Sequence, residues 1–336
     1  MRYFRVSWYL LALSAASHLG AQDREAAPPY AAPSGAPYSA IDVRIPTSMG
    51  HTLAGTLTLP RGASGARPVA AVITISGTGP QDRDEDMRSI GLAGYRIFGV
   101  FADSLGRRGI AVLRMDDRGT GASGGVFRGA TSADFADDIR AALAYLRTRP
   151  EIDPQRLALL GHSEGAIIAP MIARTESLGG IVLLAGAAEL GRGILEFQLA
   201  NLMRRDTTLR GPRLDSALAK IPAMVDSLRQ NDPYMRYITD HDPSATASHV
   251  RTPVLILNGG TDQQVVPDHA PRLARAFIDG GNLDVTMRVF PNLNHLFLRD
   301  SDGHPLGYAR LDPNVEPEVV RVAVDWLVRR LGRRAM

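Results

Sequence analysis

The 336-residue sequence predicts an α/β fold: a mostly parallel sheet with helices on both faces and a helical cap inserted into the second half. Three observations carry this. Continuous apolar runs such as Val69-Ala70-Ala71-Val72-Ile73-Thr74-Ile75-Ser76 read as strands buried on both faces. Amphipathic helical patterns alternate with these runs along most of the chain, as strand–helix–strand crossovers require. One stretch, about residues 189–249, breaks the alternation with helical pattern alone.

The elements follow in order. Arg2 and Arg5 precede a mostly apolar run, residues 6–16, and small residues continue to Gly20-Ala21. Residues 1–21 therefore read as a signal peptide, cleaved after Ser17 or Ala21, and the protein is expected to be exported, periplasmic or secreted. The apolar run is shorter than the roughly 20 residues a membrane span needs. Residues 22–40, rich in Ala, Pro, Ser and Gly, read as a flexible spacer, and 41–336 as the domain. Strands at 41–45 and 52–59 should form a hairpin. Further strands are expected at 69–76, 110–115, 156–160, 181–185, 254–257 and 283–290. Helices are expected at 97–108, 132–147, 165–173, 268–278 and 316–331, with cap helices at 194–204 and 214–228.

Composition excludes several function classes. At 45% hydrophobic and 22% charged the chain can bury a large core. It has no cysteine, so disulfides, thiolate metal sites and a thiol nucleophile are excluded. The formal charge is +3, and loss of residues 1–21 removes two arginines and no acids. Basic residues are scattered rather than striped, so no nucleic-acid partner is expected.

Gly161-His162-Ser163-Glu164-Gly165 fits G-x-S-x-G, and so does Gly121-Ala122-Ser123-Gly124-Gly125. Only the first lies between a buried strand and a helix, where a nucleophile elbow must sit. Ser163 is therefore the candidate nucleophile, and Ser123 a loop hydrogen-bonding residue. A serine hydroxyl needs a base to remove its proton. Asp262 and His295 each follow a strand that should end at the same sheet edge as Ser163, and they come in the order Ser, acid, His. His295 is the candidate base and Asp262 the acid that orients it. Competitors are His304, His162 and the cap histidines for the base, and Glu189 for the acid. Asp268 reads as a helix N-cap. The backbone N–H of Glu164 and one from the loop Ser76-Gly77-Thr78-Gly79-Pro80 should form an oxyanion hole, with Thr78 chosen and Gly77 its competitor. The loop Gln81-Asp82-Arg83-Asp84-Glu85-Asp86 lacks calcium-ligand spacing and reads as solvated charge with internal Arg–Asp pairing. No metal and no cofactor are expected.

These residues resemble the α/β-hydrolase superfamily over about residues 41–331. Asp116-Asp117-Arg118-Gly119-Thr120-Gly121-Ala122-Ser123 looks like its D-x-R-G-x-G-x-S loop. Residues 75–84, from Ile75-Ser76-Gly77-Thr78 to Asp84, are similar to the oxyanion loop of a bacterial carboxylesterase branch close to the serine aminopeptidase (S33) and dienelactone-hydrolase-like groups. Ser163, Asp262 and His295 occupy matching motif positions. Dienelactone hydrolases use a cysteine nucleophile, which this chain lacks. The resemblance implies an α/β-hydrolase fold and hydrolysis of a small-molecule carboxylic ester. The rivals are a peptidase, thioesterase or acyltransferase on the same triad, and an inactive hydrolase fold used for binding. A peptidase would need an anchor for the substrate amine, for which Asp226, Asp232, Asp240 and Asp242 are the candidates. Apolar cap residues Ile194, Phe197, Leu199, Leu202 and Met203 are expected to receive a short acyl chain.

Overall fold

The structure, a computed structural model, describes residues 30–332. The expected leader, residues 1–21, lies outside them. Eight strands form one sheet: β1 (Tyr38–Pro46), β2 (Thr52–Pro60), β3 (Val69–Ile75), β4 (Ala111–Met115), β5 (Ile152–His162), β6 (Gly180–Leu184), β7 (Val254–Gly259) and β8 (Val285–Phe290). Their order is β1-β2-β4-β3-β5-β6-β7-β8. β1 pairs with β2 and β2 with β4 antiparallel, and every other pairing is parallel.

Side-chain alternation explains the apolar runs. Ala71, Ile73 and Ile75 of β3 pack on one face with helices α2 (Ser132–Thr148), α3 (Gly165–Ala173) and α9 (His269–Asp279). Ala70 and Val72 pack on the other, against α1 (Ile97–Arg107) and α10 (Pro317–Leu331). Each fully buried Val, Leu or Ile contributes about 1.5–3 kcal/mol, so a strand covered twice must be apolar throughout.

Two boundaries differ from expectation. Structured residues are found inside the expected spacer, residues 22–40. Tyr38 and Ala36 are buried, the Tyr30 hydroxyl donates to Asp82 Oδ2 at 3.0 Å, and the Arg83 guanidinium lies 4.2 Å above the Tyr30 ring. A composition rich in Pro, Ala and Ser hid these two anchoring tyrosines. The cap holds five helices rather than two: α4 (Gly191–Arg205), α5 (Pro212–Leu218), α6 (Ile221–Asn231), α7 (Pro233–Asp240) and α8 (Pro243–Ala247). The expected 214–228 helix breaks because Pro222 cannot continue it and instead starts α6. α7 and α8 each open on Asp-Pro, with Asp232 and Asp242 accepting from amides of the first turn. The cap carries its own small core of Leu195, Leu199, Met203, Ile221 and Val225. Among the described residues, no helix is long and apolar enough to cross a membrane.

Candidate active site

Strand β5 runs into His162 and α3 begins at Gly165, leaving Ser163 on the turn with φ +53°. This left-handed conformation costs a non-glycine residue about 1–3 kcal/mol, a strain typical of functional turns. The turn is as tight as backbone permits. A Cβ on Gly161 would lie 2.1 Å from the Gly165 carbonyl oxygen, and one on Gly165 would lie 2.1 Å from that of Ile75. The Ser163 amide donates to Leu184 O of β6 at 2.9 Å, which ties the turn to the neighbouring strand.

Asp262 follows β7 and His295 follows β8, so both stand at the edge where β5 delivers Ser163. Asp262 Oδ2 accepts from His295 Nδ1 at 2.7 Å, and Oδ1 accepts from the amides of Gln264 and Val265 at 2.7 and 3.0 Å. Both side chains are buried. With Nδ1 donating to the carboxylate, the neutral ring presents Nε2 as an acceptor. The His295 loop is shaped by Asn294, whose Oδ1 accepts from the amides of Leu296 and Leu298. Among the described residues, no hydrogen bond joins Ser163 Oγ to the His295 ring; such bonds commonly tighten only on substrate binding. The structure thus brings the acid and the histidine into contact, and places the serine at the same edge on the elbow.

His162, a competitor for the base, instead ties together two segments distant in sequence. Its Nδ1 lies 2.8 Å from Glu85 Oε1 and its Nε2 lies 3.0 Å from the backbone carbonyl of His295. Both partners are acceptors, so a doubly protonated ring satisfies both. Burial pushes the His162 imidazole down, but the Glu85 carboxylate and the two hydrogen bonds outweigh it, and the net direction is up. The sequence held no local signal for this role, because Glu85 and His295 are far from residue 162 in the chain.

The loop of residues 81–86 corrects its reading as solvated charge. Gln81, Arg83, Asp84 and Glu85 are all buried. Arg83 grips Asp116 with two bonds, Nε to Oδ1 at 3.0 Å and Nη2 to Oδ2 at 2.7 Å. Asp84 receives Arg114 and Arg96. Glu85 takes both His162 and the Gly77 amide, the latter at 3.2 Å. Asp117 accepts from Ser76 Oγ and the Gln81 amide at 2.7 and 3.0 Å; burial nevertheless pushes its carboxyl well up. These bonds fasten the loop carrying Thr78 to the sheet.

The oxyanion candidates are separated by the same contacts. The Gly77 amide is already taken by Glu85. Among the described residues nothing accepts from the amides of Thr78 or Glu164. Glu164 itself is buried, with Oε1 accepting from Ser132 Oγ at 2.6 Å, and burial pushes its carboxyl up.

The competitors have other work. Ser123 Oγ accepts from the Ala54 amide at 2.8 Å and donates to Asp116 O at 2.7 Å. Glu189 pairs with Arg272 at 2.9 Å. His304 Nδ1 accepts from the Leu306 amide at 3.2 Å. Asp268 stands at the N-cap position of α9, as expected, but makes no side-chain cap bond, because its own backbone is already helical, with φ −63° and ψ −20°. Leu199 and Met203 face the cap's core and not an acyl site, which leaves Ile194, Phe197 and Leu202 of the five expected residues outside that core. Among the described residues, no group of three or more His, Asp or Glu side chains is arranged to hold a metal ion.

Comparison with known proteins agrees with the architecture. The family described as serine aminopeptidase, S33, matches residues 94–302. Esterase EstD of Thermotoga maritima is 27% identical over 283 residues, 82% of this chain and 66% of that protein. Dipeptidyl aminopeptidase BIII of Pseudoxanthomonas mexicana is 26% identical over 278 residues, 76% of this chain and 35% of that protein. The chain thus spans just under two thirds of the first relative and about a third of the second. Among solved structures, the Pyrococcus furiosus esterase Pf2001 superposes with a TM-score of 0.56 at 18% identity, covering 88% of this chain and 94% of that one. A puromycin-hydrolysing peptidase of Mycobacterium tuberculosis reaches 0.62 at 19%, covering 90% and 41%. At such identities the likeness is one of fold.

Proposed function

The chain belongs to the serine aminopeptidase S33 family, with an α/β-hydrolase fold, and on that premise we propose that it is a serine carboxylesterase acting on short-chain esters. The observation that carries the reading is the 2.7 Å bond between Asp262 and His295 Nδ1, at the sheet edge where the strained Ser163 turn stands. In the proposed cycle Ser163 Oγ attacks the ester carbonyl while His295 Nε2 takes its proton. The amides of Thr78 and Glu164 receive the oxyanion. His295 then protonates the departing alcohol, and water, deprotonated by the same ring, releases the acid. The cycle needs no metal or cofactor.

The ester reading is favoured over the peptidase reading by the cap acids. Asp226 pairs with Arg192 and Asp240 with Arg229, while Asp232 and Asp242 cap their own helices. Each of the four thus already has a structural partner, which counts against its serving as a dedicated amine anchor. The similarity to a Thermotoga esterase over 82% of the chain points the same way. A short acyl chain suits a cap whose leucines and methionine pack largely on one another. Export, to the periplasm or beyond, is proposed from the leader-like residues 1–21 alone, and the N-terminal mass of secreted protein tests it.

A kcat/KM series on p-nitrophenyl esters and aminoacyl p-nitroanilides tests the activity. Each added buried methylene contributes about 0.8 kcal/mol until the pocket is full, so the optimum should fall at about two to six acyl carbons. Anilides should be at least about 100-fold slower, since the candidate amine anchors of the cap are engaged in structural bonds. Anilides that match the esters would establish the peptidase reading instead.

A further inference from the structure

The cap touches the site at two places. On one side Gln198 and Asn201 of α4 donate to the backbone carbonyls of Gln264 and Gln263, beside Asp262. On the other a single phenol reaches the opposite wall. Tyr234 lies in the first turn of α7, where its amide donates to Asp232 Oδ1 at 2.9 Å and Pro233 fixes the preceding backbone. Its hydroxyl lies 2.7 Å from Glu164 Oε2 and 3.3 Å from Thr78 Oγ1. These are the side chains of the two residues whose amides are the oxyanion donors in the proposed cycle.

We propose that Tyr234 is a positioning residue for the oxyanion hole, through which the seated cap sets the spacing of the Thr78 and Glu164 amides. The inference rests on the esterase reading of the same site. A phenol has one proton to give, and the Glu164 carboxyl is the stronger acceptor, which leaves the phenol oxygen free to receive the Thr78 hydroxyl. Burial, then the Glu164 charge, pushes the Tyr234 hydroxyl well up, so it keeps that proton. Ser132 holds the other Glu164 oxygen, and Gln81 Nε2 holds the Thr78 carbonyl at 3.2 Å. Glu85 already ties the two loops through His162 and Gly77; Tyr234 adds a second link, from the cap, at the donor residues Thr78 and Glu164 themselves. Oxyanion donors act only on the transition state, and a small misplacement of them lowers turnover without weakening substrate binding.

The test compares wild type with Tyr234→Phe on the best p-nitrophenyl ester. The expected result is a fall of about 10- to 100-fold in kcat with KM within a few-fold, since loss of a whole oxyanion donor costs about 100- to 1000-fold. Affinity for an alkylboronic acid, which forms a tetrahedral adduct on the serine, should fall in parallel. Thr78→Val, which keeps the amide and removes the hydroxyl, should give a similar loss, and the double variant should be little worse than either. Unchanged kcat and boronate affinity in Tyr234→Phe, or losses that multiply in the double variant, would overturn the inference. If Tyr234→Phe does not fold, Thr78→Val decides alone: full turnover there overturns the proposal. Failure of the wild type to hydrolyse any ester, or to be labelled at Ser163 by a fluorophosphonate, would instead remove the esterase reading on which the proposal stands.

Discussion

Glu85 joins the elbow to the oxyanion loop: its Oε1 accepts from His162 Nδ1 at 2.8 Å and from the Gly77 amide at 3.2 Å. One buried carboxylate therefore holds the residue before Ser163 and occupies the amide before Thr78. His162 extends the chain of contacts to the His295 carbonyl.

This link has a pH signature. His162 is raised in the folded protein above its ordinary value of 6.5. Its stabilising contribution is thus fully present below 6.5 and is lost as pH rises through the raised value. The stability difference between wild type and Glu85→Gln should be largest near pH 6 and shrink steadily towards pH 9. Urea denaturation across that range measures it, and a difference that grows with pH would show that His162 is held neutral.

The proposed triad predicts a non-additive loss. Ser163→Ala should lower turnover by about a million-fold, and His295→Ala nearly as much, with the double variant little worse. Ser123→Ala should stay within a few-fold of wild type in turnover. It should still lose stability, about 1 kcal/mol per bond, because two structural hydrogen bonds go. Steady-state kinetics and a melting curve on the same preparations separate the two serines.

Glycine substitutions should divide by position. Gly165→Ala places a Cβ 2.1 Å from Ile75 O, against backbone that cannot yield, so a loss of more than about 4 kcal/mol or no folded product is expected. In Gly124→Ala the nearest atom is Thr52 O at 3.4 Å, an ordinary contact, and folding should survive. Soluble yield and circular dichroism distinguish them.

The charged loop predicts a large stability effect at a residue outside the proposed triad. Asp84→Asn leaves the buried Arg114 guanidinium without its carboxylate. Removing one partner of such a pair costs about 3–5 kcal/mol. Burial already pushes Arg114 down to about 10, which shows how poorly solvated that charge is. A chemical denaturation midpoint equal to that of wild type would contradict the account.

Local pattern was a good guide where one element decides the outcome. The helix after Ser163 runs from Gly165 to Ala173, as its pattern requires, because the strand, the elbow glycines and the apolar helix are contiguous. The contact of Asp262 with His295 follows from strand alternation, which delivers every βα loop to one edge. What the pattern hid is pairing at a distance. Residues 81–86 look like solvent-exposed charge until Arg114, Asp116 and His162 arrive from other strands to bury them. Tyr234 was equally silent, since an aromatic residue in the first turn of a cap helix carries no sign of Thr78 or Glu164.

The bonds of His162 reach 77 residues back to Glu85 and 133 forward to His295, and Tyr234 lies 156 residues from Thr78. No stretch of chain synthesised early can assemble this site by itself. Contacts of such sequence separation close late, after hairpins and helices have formed. In refolding from denaturant, far-ultraviolet ellipticity should therefore recover before any hydrolytic activity does. Catalysis in this protein would serve as a clock for the last event of folding, when the segment after the cap, which carries Asp262 and His295, docks against the elbow.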